Sequence, residues 1–159
     1  MDELAQQARD VLDSVRYVAL GTIDEDGRPR VSPVYFTPHD YSSLYWVSYA
    51  DTHHSANIAR DERVSGVVFD STLVPGRGRA VYVAGRAREI PAGELDEHLP
   101  RAFDPDRRGG RAFTRAELTD PADPLRLYAL RVETCEVHVP AGHPTLGTGR
   151  DRRVAVDPR

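Results

Sequence analysis

Hydrophobic and polar residues alternate over several short stretches of this chain, which is the two-residue period of a half-buried β-strand. Six stretches either alternate in this way or are rich in β-branched and aromatic residues: 16–23, 29–36, 44–49, 64–70, 80–90 and 125–139. Most connections between them are too short for the helical crossover that parallel strands need. The pattern therefore predicts a mainly β fold of the α+β class, an antiparallel six-stranded barrel with a few peripheral helices.

The predicted helices lie outside these stretches. Apolar residues near the N-terminus recur at the three- and four-residue spacing of an amphipathic helix over 3–15: Leu4, Ala8, Val11, Leu12 and Val15. We also predict a helix over 93–103 and one helical turn near 115–117, within a Pro- and Gly-rich excursion at 104–123. A single domain is expected over 1–140, followed by a C-terminal extension, 141–159, with a short strand at 153–156.

Composition narrows the class of protein. The chain has 159 residues, a net charge of −4 and one cysteine, so we expect one soluble cytoplasmic domain without a disulfide framework. No stretch predicts a membrane helix, and the arginines are scattered among acids, which disfavours nucleic-acid binding. The chain has no lysine. That absence excludes lysine Schiff-base chemistry and a P-loop, since both need the ε-amine.

The strongest candidate site follows the strand at 44–49. Hydroxyl, imidazole and amide side chains cluster where a short helix is predicted to begin: Ser48, Thr52, His53, His54, Ser55 and Asn57. The free N–H groups and the dipole of a helix N-terminus favour an anion, and phosphate is a common one. An ordinary helix cap with solvated histidines is the alternative.

Two other segments carry weaker signals. The strand at 29–36 is interrupted by Pro33, which places it at an edge, at a bulge, or with its backbone facing a ligand. The Gly76-Arg77-Gly78-Arg79 loop could bind an anion through its guanidinium groups, or could simply connect two strands. Cys135 and His138 lie three apart on one strand, so they are expected on opposite faces and form no metal site.

The order of these segments resembles the pyridoxamine 5′-phosphate oxidase-like superfamily of flavin- or deazaflavin-binding split β-barrels. The resemblance covers about residues 15–90 and is carried by five short motifs: Thr22-Ile23 with Asp26-Gly27, Val31 to Phe36, Leu44 to Ser48, Asn57-Ile58, and Arg60 to Val64. It implies a split barrel that forms a homodimer, with the cofactor at the subunit interface.

The resemblance also implies roles for residues. The flavin ring would lie against Ser32, Pro33, Val34 and Tyr35, and the phosphate near Ser48 and the Thr52-to-Asn57 turn. Relatives often carry lysine or arginine where this chain has His54, so phosphate affinity here is expected to depend on pH. The closing motif of vitamin B6 oxidases is not evident in 150–159, so that substrate is not predicted.

We therefore predict an FMN-binding oxidoreductase that acts on a small organic molecule, with no catalytic side chain assigned. One alternative is a deazaflavin-dependent reductase, in which Arg60, Arg77 or Arg79 binds the longer acidic tail of the cofactor. Another is a flavin- or haem-binding protein or sensor without turnover.

Overall fold

The computed structural model describes residues 2–103 and 110–159. Eight strands lie within these residues: β1 (Tyr17–Ile23), β2 (Pro29–Tyr35), β3 (Thr37–His39), β4 (Ser43–Tyr49), β5 (Arg63–Phe69), β6 (Ala80–Glu89), β7 (Leu125–Val139) and β8 (Arg152–Ala155). The helices are α1 (Asp2–Ser14), α2 (His53–Arg60), α3 (Leu95–Ala102), which follows a 3-10 turn, and α4 (Arg115–Leu118). Residues 104–109 of the predicted excursion lie outside the described residues.

All strands pair antiparallel in the order β2-β1-β5-β6-β7-β4-β3, and β8 adds to β7. The two ends of this path, β2 and β3, are consecutive in the chain and separated only by Phe36. The sheet must therefore curl until its ends meet at Phe36, whose side chain is fully buried. The antiparallel, mainly β fold with few helices is confirmed.

The count of six strands is wrong, because the sheet contains eight. β3 has only three residues and contains Pro38, so it is too short to show alternation. β8 corresponds to the short strand predicted at 153–156 in the C-terminal extension, and it begins one residue earlier. Its residues pair with Glu136 to Val139 of β7.

Two groups of buried side chains hold the structure together. The larger fills the inside of the curled sheet and includes Leu20, Phe36, Leu44 and Leu130. The predicted apolar stripe of α1 contributes four of its buried members, and Val15, just beyond the helix, packs against it. The smaller group lies on the outer face of β4 and β7, where Tyr45 and Leu127 pack against residues of α3 and α4.

Local features agree with the sequence in three places. Gly27 has a positive φ of 82° in the β1–β2 turn. Pro33 lies in β2, which pairs with β1 only and so is an edge strand. Cys135 belongs to the inner core, whereas His138 is part-exposed on the other face, as expected for residues three apart on a strand. No helix among the described residues has the length and apolarity to cross a membrane.

Candidate cofactor site at the start of helix α2

The chain leaves β4 at Tyr49 and turns directly into α2. Thr52 occupies the N-cap position with extended backbone, but its side chain does not cap the helix. The first helical hydrogen bond is donated by the Ala56 amide to the Thr52 carbonyl, at 2.9 Å. The amides of the first turn before Ala56 are therefore left without the usual side-chain acceptor, which is the arrangement that favours an anion.

Four side chains converge beside these amides, and we call them the hydroxyl–imidazole cluster: Ser48, Thr52, His54 and Ser55. The Ser48 Oγ lies 2.8 Å from Nε2 of His54. Thr52 Oγ1 lies 3.3 Å from that same nitrogen and donates to Ser55 Oγ at 2.9 Å. Hydroxyl and imidazole groups suit phosphate oxygens because each can donate a hydrogen bond.

Burial within the cluster lowers the pKa of His54, and the neighbouring His53 lowers it further. His54 is therefore neutral over most of the physiological range in the protein without a ligand. His53 itself is exposed on the solvent side of the helix. The two adjacent histidines thus play different parts, and only His54 belongs to the cluster.

Asn57 is buried, but it does not join the cluster. Its Nδ2 donates to Thr22 Oγ1 at 3.0 Å and to Asp24 Oδ1 at 2.8 Å, and its Oδ1 accepts from Arg60 at 2.9 Å. Hydrogen bonds from Arg30 and Asn57 lower the pKa of Asp24 to about 2, so this acceptor stays charged. The amide of Asn57 therefore fastens α2 to β1.

β2 and β4 lie on the two sides of a gap in the barrel. β3 pairs with β4 only as far as Tyr45, and β2 pairs with β1 rather than with the rest of β4. The edge of β4 from Trp46 onward therefore has no strand partner among the described residues on that side, although β2 comes close to it. Exposed strand edges offer backbone donors and acceptors to a ligand.

A cavity of about 370 Å³ lies at this gap. Its walls come from β2, β3 and β4, from the end of α3, and from residues 110–113. Two residues in the wall carry a buried polar atom without a hydrogen-bond partner, the Tyr35 hydroxyl and the Trp46 indole nitrogen. Trp46 also stacks on Tyr128, with ring centroids 5.8 Å apart.

The other residues predicted for the ring face different ways. Val34 points into the core and Ser32 is half-buried on the same face, whereas Pro33 is exposed on the opposite face with Tyr35. Only Tyr35 of these four residues lines the cavity at the gap. A ring contact with the other three stays a prediction.

Arg79 is not brought to the cluster within one chain. It precedes Ala80, which pairs with Phe69 at the end of β5, whereas α2 leads into Arg63 at the start of β5. The length of β5 separates the two places, about 20 Å for seven residues. Arg79 therefore lies away from the cluster of its own chain, and its contact with a cofactor stays a prediction.

Two residues beside the candidate site were not predicted from the sequence. Trp46 lies two positions before Ser48 and so faces the same side of β4, a relation that the strand period contains. Tyr128, whose ring stacks on that of Trp46, comes from β7 and carries no local signal.

A comparison with protein families matches residues 4–138 to the family described as pyridoxamine 5′-phosphate oxidase. A comparison with curated proteins found no significant match.

Solved structures share the fold. A haem-binding protein from Mycobacterium smegmatis superposes with a TM-score of 0.67 at 21% identity, over 95% of this chain but only 57% of that one, so this chain spans little more than half its length. An FAD-binding protein from Mesorhizobium loti gives a TM-score of 0.60 at 23% identity, over 84% of this chain and 92% of that chain. A protein from Clostridium acetobutylicum related to general stress protein 26 gives 0.65 at 11% identity, over 99% and 97%.

Proposed function

The chain belongs to the pyridoxamine 5′-phosphate oxidase family, and from that premise we propose that it is an FMN-binding oxidoreductase acting on a small organic molecule. The observation that carries the proposal is the hydroxyl–imidazole cluster beside the uncapped start of α2. Membership of the family does not by itself assign a substrate.

The donor set of the cluster fits a phosphate monoester. Ser48, Thr52 and Ser55 offer hydroxyls, His54 offers an imidazole, and the first-turn amides point the positive end of the helix dipole toward the site. None of these groups is a permanent cation. Phosphate binding would therefore depend on hydrogen bonds and the helix dipole, with charge added only when His54 is protonated.

In the proposed enzyme, the cofactor rather than any side chain would carry out the electron transfer. Bound FMN would supply two-electron chemistry that amino-acid side chains lack. The chain's own residues would bind the phosphate, present the backbone edges of β2 and β4, and exclude water through the apolar walls of the cavity. We assign no proton donor or acceptor for the reaction.

We expect FMN affinity to rise as the pH falls. A bound phosphate favours the charged imidazole, so the pKa of His54, which burial lowers in the free protein, rises on binding. Protonation below that pKa then strengthens binding. Calorimetric titrations of the wild type and His54→Gln between pH 8 and pH 6 should show a relative gain for the wild type of about five-fold.

Comparison with His54→Gln cancels the titration of the phosphate itself. His54→Lys places a permanent cation at the same position. The FMN affinity of this variant relative to that of His54→Gln should therefore stay constant with pH. A wild-type profile parallel to that of His54→Gln would show that His54 does not contact the phosphate.

We also propose a homodimer formed through the outer face of β1, β2 and β5. Four large apolar side chains lie exposed on this one face: Tyr17 (58%), Val31 (68%), Phe69 (48%) and Ile23 (43%). The cross-strand register places them together, since Gly21 pairs with Val31 and Ala19 with Val67. Exposed apolar patches of this kind mark protein interfaces, and a second copy supplies the same surface.

Val31→Arg should convert the dimer into a monomer. The substitution places an unpaired charge within the apolar face, where its burial against a second copy is unfavourable. Light scattering after gel filtration should give the mass of two chains for the wild type and of one chain for Val31→Arg. Arg28→Glu, in the exposed β1–β2 turn, is the control for a surface charge change and should remain dimeric. A monomeric wild type would exclude the interface.

A second candidate function, haem binding without turnover, is favoured by the haem-binding protein among the structural neighbours. The visible absorbance of the purified protein separates the candidates, because FMN, deazaflavin and haem absorb at different wavelengths. A protein that is colourless and binds none of them on titration would contradict the proposed function. A protein that binds FMN but reduces or oxidises no compound in a broad panel would favour the non-catalytic alternative.

A further inference from the structure

A second groove, of about 300 Å³, lies on the outer face of the sheet between β4, β6, β7 and α3. The strand register explains its floor, because Ala129 of β7 lies opposite Arg88 of β6 on one side and Tyr45 of β4 on the other. The small alanine side chain leaves a depression between two long ones. We call this depression the arginine groove, since four arginines line it: Arg86, Arg88, Arg101 and Arg131.

The four arginines lie at two places along the groove. Arg86 and Arg131 are directly opposite each other in the ladder between β6 and β7. Arg88 follows two residues later on the same face of β6, about 7 Å away, and α3 contributes Arg101 and His98. Burial lowers the pKa of His98, and the charges of Arg101 and Arg88 lower it further, as expected if both guanidinium groups lie near this ring. The groove therefore has two separate pairs of cations.

The carboxylates that neutralise these arginines lie mostly outside the groove. Each arginine forms one ion pair, in the order Arg86, Arg88, Arg101 and Arg131 with Glu62, Glu94, Glu97 and Glu133. Among the described residues, Glu62 is the one carboxylate that lines the groove. A guanidinium also has more N–H donors than a single carboxylate can accept. The wall therefore carries an excess of positive charge, with donors to spare.

An anion in the groove would relieve an unfavourable arrangement of the protein alone. Like charges directly opposite each other in a sheet are destabilising, and Arg86 and Arg131 form such a pair. The four arginine side chains are between 40% and 69% exposed, so a ligand can reach them from solvent. Guanidinium groups bind carboxylates through two parallel hydrogen bonds, which gives both affinity and geometric selectivity.

We propose that the arginine groove binds a small dicarboxylate, with one carboxylate accepting from Arg86 and Arg131 and the other from Arg88 and Arg101. The separation of the two pairs favours two anionic groups over one. The volume lies at the lower limit of about 300 Å³ for small-molecule sites, which suits a short aliphatic diacid. No residue of the hydroxyl–imidazole cluster lines the groove, so binding there does not require FMN.

Calorimetric titration with glutarate tests the proposal, with butyrate and glutaramide as matched probes. Butyrate has the same aliphatic chain with one carboxylate, and glutaramide has both carboxylates replaced by neutral amides. At low ionic strength, glutarate should bind about 10-fold more tightly than butyrate, and glutaramide should not bind measurably. The net charge of the protein is −4, so non-specific attraction of a dianion works against this result.

Two kinds of variant locate the site. Arg88→Gln and Arg131→Gln should each reduce glutarate binding to the level of butyrate, whereas Arg28→Gln, in the exposed β1–β2 turn, should leave it unchanged. Ala129→Leu keeps every charge but fills the floor of the groove, so it should abolish glutarate binding. Thermal unfolding of each variant verifies that it is folded, which is expected for the exposed arginines in particular.

Equal affinities for glutarate and butyrate, or no binding of glutarate, would overturn the proposal. Glutarate binding that survives in both Arg88→Gln and Ala129→Leu would also overturn it, because the attraction would then be a general effect of surface charge. A protein that binds glutarate as expected but does not bind FMN would contradict the proposed flavin function and leave the arginine groove as a dicarboxylate site.

Discussion

Ser48→Asp is expected to weaken FMN binding by about 100-fold, because it places a carboxylate beside the phosphate at a distance where like charges repel by several kcal/mol. The Oγ of Ser48 lies 2.8 Å from His54 Nε2 and 3.3 Å from Thr52 Oγ1, so the new charge falls within the hydroxyl–imidazole cluster. Folding should be retained, since Ser48 is only half-buried and a carboxylate there keeps contact with water. Fluorescence titration with FMN measures the loss.

Two control variants make this result specific. Ser71→Asp adds the same charge in the exposed β5–β6 loop at the opposite end of β5 and should leave FMN affinity unchanged. Ser48→Ala removes one hydroxyl without adding charge and should weaken binding only about five-fold. If Ser48→Asp bound FMN as tightly as the wild type, the phosphate would have to lie elsewhere.

Gly85→Ala should lower the free energy of unfolding by about 3 kcal/mol, through overpacking of the sheet. A Cβ at this position would lie 2.0 Å from the carbonyl oxygen of Arg131 and 3.1 Å from the amide of Glu133. Both neighbours are backbone of β7, so neither can move without breaking the ladder. The register between β6 and β7 shifts between Ala84 and Gly85, where the absence of a side chain lets the strands approach.

Urea denaturation of Gly85→Ala measures this effect, and Gly93→Ala is its matched control. A Cβ at Gly93 would meet nothing within 4 Å, so the same substitution there should change stability by less than about 0.5 kcal/mol. Equal stabilities of the two variants would mean that β6 and β7 are not packed as closely as described.

Most of the strands could be predicted from sequence because their signal is local. Leu125–Val139 has the predicted bounds, and the other five predicted barrel strands differ by one residue at one or both ends. β3 was missed because its three residues acquire their pairing from Leu44 and its neighbours, and Pro38 suppresses any local β signal. Closure of the barrel at Phe36 depends on the strand order, which alternation does not contain.

The residues of the candidate site could likewise be predicted only where they lie close together in the sequence. Ser48, Thr52, His54 and Ser55 lie within eight positions of each other, so the turn alone brings them together. Arg79 was a candidate because its glycine- and arginine-rich loop resembles an anion site when it is considered in isolation. Only the pairing of β5 with β6 shows that its loop lies at the other end of these strands.

Phosphate binding at the start of α2 is tested most directly by comparing the affinities of the protein for FMN and for riboflavin. Riboflavin has the same ring and ribityl chain but no phosphate. If the start of α2 holds the phosphate, FMN should bind about 100-fold more tightly than riboflavin, the contribution of two or three charge-assisted hydrogen bonds. The difference should shrink in Ser48→Asp and persist in Ser71→Asp. Equal affinities of FMN and riboflavin for the wild-type protein would contradict the account.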